Sequence, residues 1–345
     1  MTTIQGRDEA VAQFTHQAMP ELSPSLAQLY APILDDLHKS ELILRKEMRS
    51  KFPYVDELVR YGCLLGGKRL RPALLLLSAQ ATGKVNEQHL ILAAVVEMIH
   101  TATLVHDDVL DEAETRRHVA TINARWNNHT SILLGDYLFS KSFRLAASLP
   151  STEACQWIGE AARLVCEGEL RQVLQRDVLD LDEASYIEII RGKTAELCRV
   201  SCQLGARFSD ADDDTVDALG VYGDAVGVAF QIADDYLDLW GEDDTVGKTL
   251  GTDIVQGKLT LPIIRLLATS SGGNRSKIVR ILTGPAEQRL QRIRPYLDQS
   301  DAGQYTRLVA ERFRNQAIDA LEPLDNTKAK AALLAIADFS VDRRF

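Results

Sequence analysis

The sequence predicts an all-α protein, a bundle of many helices, on three observations. Apolar residues recur at helical spacing along most of its 345 residues. No segment alternates convincingly as a strand, and there is no internal repeat beyond one short motif. That motif is the third observation, because two long apolar runs each end in the same triplet of acids. Asp107-Asp108-Val109-Leu110-Asp111 closes the run from Leu90, and Asp234-Asp235-Tyr236-Leu237-Asp238 closes the run from Ala225. The two long helices are expected to face each other, with their acid ends lining one mouth.

The elements follow in order. Residues 1–23 are polar and aperiodic, an arm or an irregular first helix. Ser25 to Lys51 is helical, with Pro32 as a start or a kink. Val55 to Leu65 ends at Gly66-Gly67, and Arg71 to Thr82 stops at Gly83. The first long helix runs from Leu90 into its acids. Stretches 130–148, 152–176 and 183–207 follow, with Pro150 and Asp180-Leu181-Asp182 as breaks. Thr215 to Trp240 is the second long helix. It carries Gly220, Gly223 and Gly227, each costing about 1 kcal/mol relative to alanine, so a neighbouring helix should approach them closely. Residues 241–257 form a loop, and Leu259 to Thr269, Ala286 to Leu297, Tyr305 to Leu321 and Lys328 to Val341 complete the series. The chain divides into 1–50, an extension and first helix, and 51–345, a single all-α domain.

A net charge of −10 argues against general attraction to nucleic acid. The N-terminus lacks the apolar core of a signal peptide, and the run from Leu90 to Val105 is too short to span a bilayer. Cys63, Cys155, Cys166, Cys198 and Cys202 form no Cys-x-x-Cys pair and read as reduced, mostly buried thiols. The expected location is the cytoplasm.

On a helix, Asp107 and Asp111 lie about 40° apart with Asp108 beside them. Two carboxylates roughly 5 Å apart repel by on the order of 3 kcal/mol at an effective dielectric of about 20. A hard, oxygen-preferring cation relieves that repulsion. Mg²⁺ suits it, because it is usually held by one or two carboxylates together with substrate phosphates. Against the acidic background, Gly66-Gly67-Lys68-Arg69-Leu70-Arg71-Pro72 gathers three cations behind two glycines, as an anion site would. It lacks P-loop spacing. Arg116-Arg117, Gly192-Lys193-Thr194, Gly247-Lys248-Thr249 and Gly257-Lys258 add further basic positions at polar turns.

In motif order and approximate spacing, from about residue 50 onward, the chain resembles the trans-isoprenyl diphosphate synthases, the polyprenyl synthetase family. The resemblance implies an isoprenoid-synthase-type bundle around a deep central apolar cavity, a homodimer, and a long-chain prenyltransferase. Its substrates would be isopentenyl diphosphate and an allylic diphosphate, with several Mg²⁺ ions bridged by the allylic diphosphate. It implies that Asp107, Asp108, Asp111, Asp234, Asp235 and Asp238 bind the metal and act in catalysis with Lys193 and Lys248. Arg116, Lys193, Thr194, Gln231, Lys248 and Lys258 match contacts to the allylic diphosphate. Lys68, Arg71, His100 and Arg117 match the site for isopentenyl diphosphate, with Glu97 orienting them and the tail Asp342-Arg343-Arg344-Phe345 closing over it. One departure is His118, where the family commonly has glycine. A positive φ there would strain the loop.

The implied chemistry is ionisation of an allylic C–O bond, with the carbocation shielded by apolar walls. Phe230 and Tyr236 could face that cation or simply pack in the core. His106 is read as structural, since the departed diphosphate can take the proton. Ala102, Thr103 and Ile99 lie below the first acids and are small or medium-sized, so the implied tunnel is open and the product long. Rival readings are a short-chain farnesyl or geranylgeranyl synthase, a class I terpene cyclase, a non-catalytic partner subunit and a helical metal-binding scaffold. The intact second acid cluster and the Gly66–Pro72 motif disfavour the cyclase and the subunit. A long product would bring a soluble enzyme to a membrane surface.

Overall fold

The computed structural model describes residues 22–64, 67–117, 119–241 and 250–342. The N-terminal arm, Gly66, His118, Lys248 and the tail Arg343-Arg344-Phe345 lie outside the described residues. Within them the regular structure is helical except for one small hairpin. Helix α1 (Pro24–Leu29) is followed by a 3-10 turn, Ala31–Ile33, whose Pro32 interrupts the helix before α2 (Leu34–Glu47). Helix α3 (Pro53–Leu64) leads through the basic loop to α4 (Leu70–Thr82).

The first long helix, α5, spans Glu87–Leu110. Asn86 caps it by accepting from the Gln88 and His89 amides, while the His89 ring accepts from the Asn86 amide at 3.0 Å. Beyond its acids, Thr115–Arg116 (β1) pairs antiparallel with Val119–Ala120 (β2). Two residues per strand are too few to display alternation in the sequence. The tight turn needs left-handed backbone, and Arg117 supplies it at φ 51°. Helices α6 (Ile122–Arg125), α7 (Asn128–Ala146), α8 (Glu153–Leu174) and α9 (Glu183–Ile190) follow. The expected helix 183–207 is not continuous. A π-helical segment, Arg191–Ala195, separates α9 from α10 (Glu196–Arg207).

The second long helix, α11 (Asp213–Trp240), is capped by Asp212, whose carboxylate accepts from the Thr215 amide at 2.8 Å. After it come α12 (Thr252–Val255), α13 (Leu261–Thr269), α14 (Gly272–Leu282), a 3-10 turn at Ala286–Gln288, α15 (Arg289–Asp298), α16 (Ala302–Ala320) and α17 (Lys328–Val341). The sequence places no element at α14, whose Gly272-Gly273 start disfavours helix on propensity alone.

The two long helices do not pack along each other, as the sequence suggests. Helix α5 lies along α7, α11 lies along α10 and α16, and α10 touches both. The glycines explain the close seam between α10 and α11. A Cβ on Gly223 would stand 2.6 Å from the Cys198 carbonyl oxygen, and one on Gly227 would stand 2.5 Å from Ala195 Cα. Helix α5 is 24 residues long, so by length and composition it could cross a membrane, as could α11. Two thirds of the apolar window of each is buried in the bundle (67%). The run beginning at Leu90 looks shorter only because the polar residues that start the helix are excluded.

The seam predicts a graded stability effect. Gly223→Val forces a side chain into backbone and should lower stability by about 1–3 kcal/mol. Gly220→Ala, which meets only the movable Gln203 side chain, should be milder. Thermal denaturation of both variants checks the order.

Candidate active site

The acid ends of α5 and α11 are tied to one short segment. The Thr252 and Asp253 amides donate to the two carboxylate oxygens of Asp238, at 3.1 and 3.3 Å. A few residues on, Gln256 donates its amide to the Asp111 carbonyl at 3.0 Å, and Lys258 Nζ reaches Asp111 Oδ1 at 2.9 Å. Residues 252–258 therefore span from the second acid triplet to the first. Arg176 reaches Asp111 from beyond α8, at 3.2 Å.

A second bridge is the π segment. Its Gly192 sits against Gly168 of α8 so closely that a Cβ on Gly168 would lie 2.4 Å from the Lys193 nitrogen. That approach sets Lys193 Nζ 2.6 Å from Glu169, 2.8 Å from the side-chain Oε1 of Gln172 and 4.0 Å from Asp107. The next residue, Thr194, donates to Gln231 at 2.9 Å, and Gln231 donates to Asp235 at 2.8 Å. Burial opposes the Lys193 charge, but Asp107 and Glu169 outweigh it and its pKa is raised. Burial pushes the Asp107 carboxyl up to about 6, with Glu169 and Asp111 adding to the rise and Lys193 opposing it. Asp235 is pushed well above the carboxylate range by burial, then by Asp253, although Tyr186 donates to it at 2.6 Å.

The middle acid of each triplet is buried. Asp108 is 1% exposed and Asp235 3%, whereas Asp107, Asp111, Asp234 and Asp238 are half-buried. Arg116 holds Asp108 Oδ1 through Nε at 2.9 Å and Nη2 at 2.7 Å. Around His100 stand Arg71, Arg117, Arg116 and Arg69. Burial first, and then these arginines, depress its pKa far below the usual histidine value, so the imidazole is neutral. Arg117 lies over Gly67, where a Cβ would fall 2.1 Å from its guanidinium, and Lys68 Nζ lies 5.6 Å from the centroid of the Phe339 ring of α17.

Residues 52–298 match the family model described as polyprenyl synthetase. The chain belongs to the polyprenyl synthetase family. It is 34% identical to the heptaprenyl diphosphate synthase component 2 of Bacillus subtilis, over 92% of this chain and 90% of that protein. It is 35% identical to a short chain isoprenyl diphosphate synthase of Methanothermobacter thermautotrophicus, over 81% and 87% respectively. Among solved structures, it resembles the Caulobacter crescentus polyprenyl synthase complexed with calcium and isoprenyl diphosphate. There the TM-score is 0.88 at 35% identity, covering 94% of this chain and 100% of that one.

Measured against the family motifs, the structure gathers Asp107, Asp108, Asp111, Lys193, Thr194, Gln231, Asp235, Asp238 and Lys258 through the contacts above. Lys248 lies outside the described residues. Tyr236 does not face the site. It stacks on Trp240 with centroids 4.8 Å apart and accepts from Arg307 of α16 at 2.6 Å, because it follows Asp235 around the helix. His106 faces α7, its Nε2 3.0 Å from the Ile132 carbonyl oxygen, with Gly135 leaving room for the ring. Ala102 and Ile99 are buried, and Thr103 is half-buried one turn before Asp107. Sequence reasoning missed Glu169, Gln172, Arg176, Tyr186, Asp253 and Gln256. The only signal for the first was the glycine before Glu169. Among the described residues an open groove of about 640 Å³ along α16, lined by Val221, Leu308 and Arg312, includes none of the site residues.

The raised Asp107 value carries a stability consequence. From the ordinary 3.8 to about 6, at 1.36 kcal/mol per unit, ionising this carboxyl disfavours the folded state by about 3 kcal/mol at most. The folded protein holds that proton between those two pH values while the unfolded chain does not. Stability therefore falls as pH rises through the window, and the penalty persists above it. Asp107→Asn should raise the Tm at pH 8 and raise it less at pH 5. Calorimetry at both pH values checks this, and an unchanged Tm at pH 8 rejects it.

Proposed function

We propose that this chain condenses isopentenyl diphosphate head-to-tail with an allylic diphosphate, giving a long all-trans polyprenyl diphosphate. The observation that carries the reading is the convergence of both acid triplets, through residues 252–258 and the Lys193–Thr194 turn, beside a separate arginine-rich pocket. One diphosphate site is acidic and suited to metal, and the other is basic and suited to a diphosphate without one. Among the described residues no three acids form a ready-made metal cage. Mg²⁺ with one or two carboxylates and diphosphate oxygens fits that donor set. The half-buried Asp107, Asp111, Asp234 and Asp238 are best placed to hold the ions, with Asp108 and Asp235 set behind them. When bound, the metal neutralises the charge that grows on the leaving diphosphate.

The chain's own residues do the rest. Lys193, Lys258 and Arg116 place positive charge where the diphosphate leaves with the C–O electron pair. Lys68, Arg71, Arg117 and neutral His100 hold the second diphosphate, so that its double bond attacks the allylic carbon. The attack leaves a cation on the isopentenyl unit; a proton on the adjacent carbon then passes to the departed diphosphate, its C–H electron pair forms the new double bond, and no protein base is required. Thr103, Ala102 and Ile99 set how far the growing chain can descend beside α5. Their small to medium size supports a long product. Phe339 beside Lys68 brings α17 toward the second site. The domain begins at residue 51, with the preceding helix as its support.

We also propose a cytoplasmic homodimer whose product draws it to a membrane surface. All five cysteines are free thiols. Leu133 of α7 and Leu170 and Leu174 of α8, on neighbouring helices, are 67%, 63% and 77% exposed, as a subunit interface requires.

Two experiments test this. Incubation with labelled isopentenyl diphosphate and farnesyl diphosphate should give elongated alcohols after phosphatase treatment, and none with chelator. In that assay Asp107→Asn and Asp234→Asn should each lower turnover by about 10²-fold or more with circular dichroism unchanged, and Ala102→Phe should shorten the product. Light scattering should report a dimer for the wild type and a monomer for Leu133→Asp. A monomeric wild type rejects the assembly.

A further inference from the structure

We propose that Glu41 of α2 is a positioning residue for the basic diphosphate site, acting through Arg69. The inference rests on the function proposed above. Of the three cations in the Lys68–Arg71 loop, Arg69 is the one turned inward, 5% exposed. Its Nε and Nη2 donate to the two oxygens of Glu41 at 2.8 and 3.2 Å, a forked pair. Its Nη1 donates to Glu97 of α5 at 2.7 Å. Arg69 therefore does not serve the anion. It clamps the loop between two helices.

The clamp matters because of where Arg69 sits. Its backbone is left-handed, φ 52° and ψ 33°, which a residue with a Cβ adopts only when held. Its carbonyl accepts the first helical bond of α4, from Ala73 at 3.0 Å. Lys68 precedes this turn and Arg71 follows it in the first turn of α4, so the rotation at Arg69 sets the direction of both. The Glu41 carboxylate is fixed in turn by Arg45, whose Nε donates to it at 3.0 Å. A second tie from the same region is Tyr30, whose hydroxyl donates to the Lys68 carbonyl at 3.0 Å. Both partners in the Arg69–Glu41 pair are only 3% exposed, so water cannot replace Glu41. Without that carboxylate the guanidinium keeps only its single bond to Glu97, and the left-handed turn loses the forked pair that holds it. The allylic site is held by other residues, so the effect falls on one substrate.

The test is steady-state kinetics of Glu41→Gln, varying each substrate with the other saturating. The expected result is a rise in KM for isopentenyl diphosphate of about ten- to a hundredfold. The KM for the allylic diphosphate and kcat should stay within about twofold. If both KM values are unchanged, or both rise together, the network serves folding alone and the inference is overturned. Should Glu41→Gln not fold, Arg69→Lys keeps the charge but loses the fork, and the same split decides. A wild-type chain that condenses nothing would fail the functional reading. An active wild type with an unaltered Glu41→Gln would fail only this one.

Discussion

Two helices that both point their carboxyl ends, and three carboxylates each, at one region set the constraint on this fold. A helix C-terminus already carries about half a negative charge. Acids in its last turn are disfavoured twice over, by the dipole and by one another. The chain offsets this with cations and amides brought from distant elements: Arg116 to Asp108, Lys193 toward Asp107, Lys258 to Asp111, and the Thr252 and Asp253 amides to Asp238. Burial works against the offset, and Asp107 and Asp235 still hold their protons more tightly than ordinary aspartates. Stability given up at such a point is usual where function requires it.

Close backbone approach is what makes the offset possible. Lys193 reaches Glu169 and Asp107 because Gly168 and Gly192 let α8 and the π segment touch without side chains between them. The π segment matters in the same way. One extra residue in the turn rotates Lys193 and Thr194 relative to α9, so that one faces α8 and the other faces α11. Gly223 and Gly227 then seat α10 and the Ala195 turn on α11. Small residues at these four positions set where the charged side chains meet.

Much of this was legible in the sequence, and the reasons are specific. Helical period, the doubled acid triplet and the glycine row at 220, 223 and 227 all act within one helix or one seam, so local pattern reveals them. Motif order also led to Arg71 standing near His100 and Lys258 near the acids, and the structure places Lys258 beside Asp111. Tyr186 was not, because a tyrosine in an apolar helix looks like core until Asp235 is placed against its hydroxyl. The π segment was not, because Arg191–Ala195 fits an ordinary helix equally well by residue type. Arg69 was grouped with its neighbours as one of three cations of an anion-site motif, with no separate role. Nothing in Lys68-Arg69-Leu70-Arg71 says which cation turns inward, and that is decided by Glu41, 28 residues away.

The two acid triplets, though read from identical spacing, are alike in a way that spacing alone does not reveal. In each, the second aspartate is buried and answered by a neutralising or donating partner, Arg116 for Asp108, and Tyr186 with Gln231 for Asp235. The first and last stay half-buried at the mouth. On a helix the first and fifth positions lie close together, while the second is rotated away toward the core. The motif thus divides its own labour, with one acid anchoring the helix end and two presented side by side. The four outer carboxylates, a pair from each helix, are the ones left half-buried.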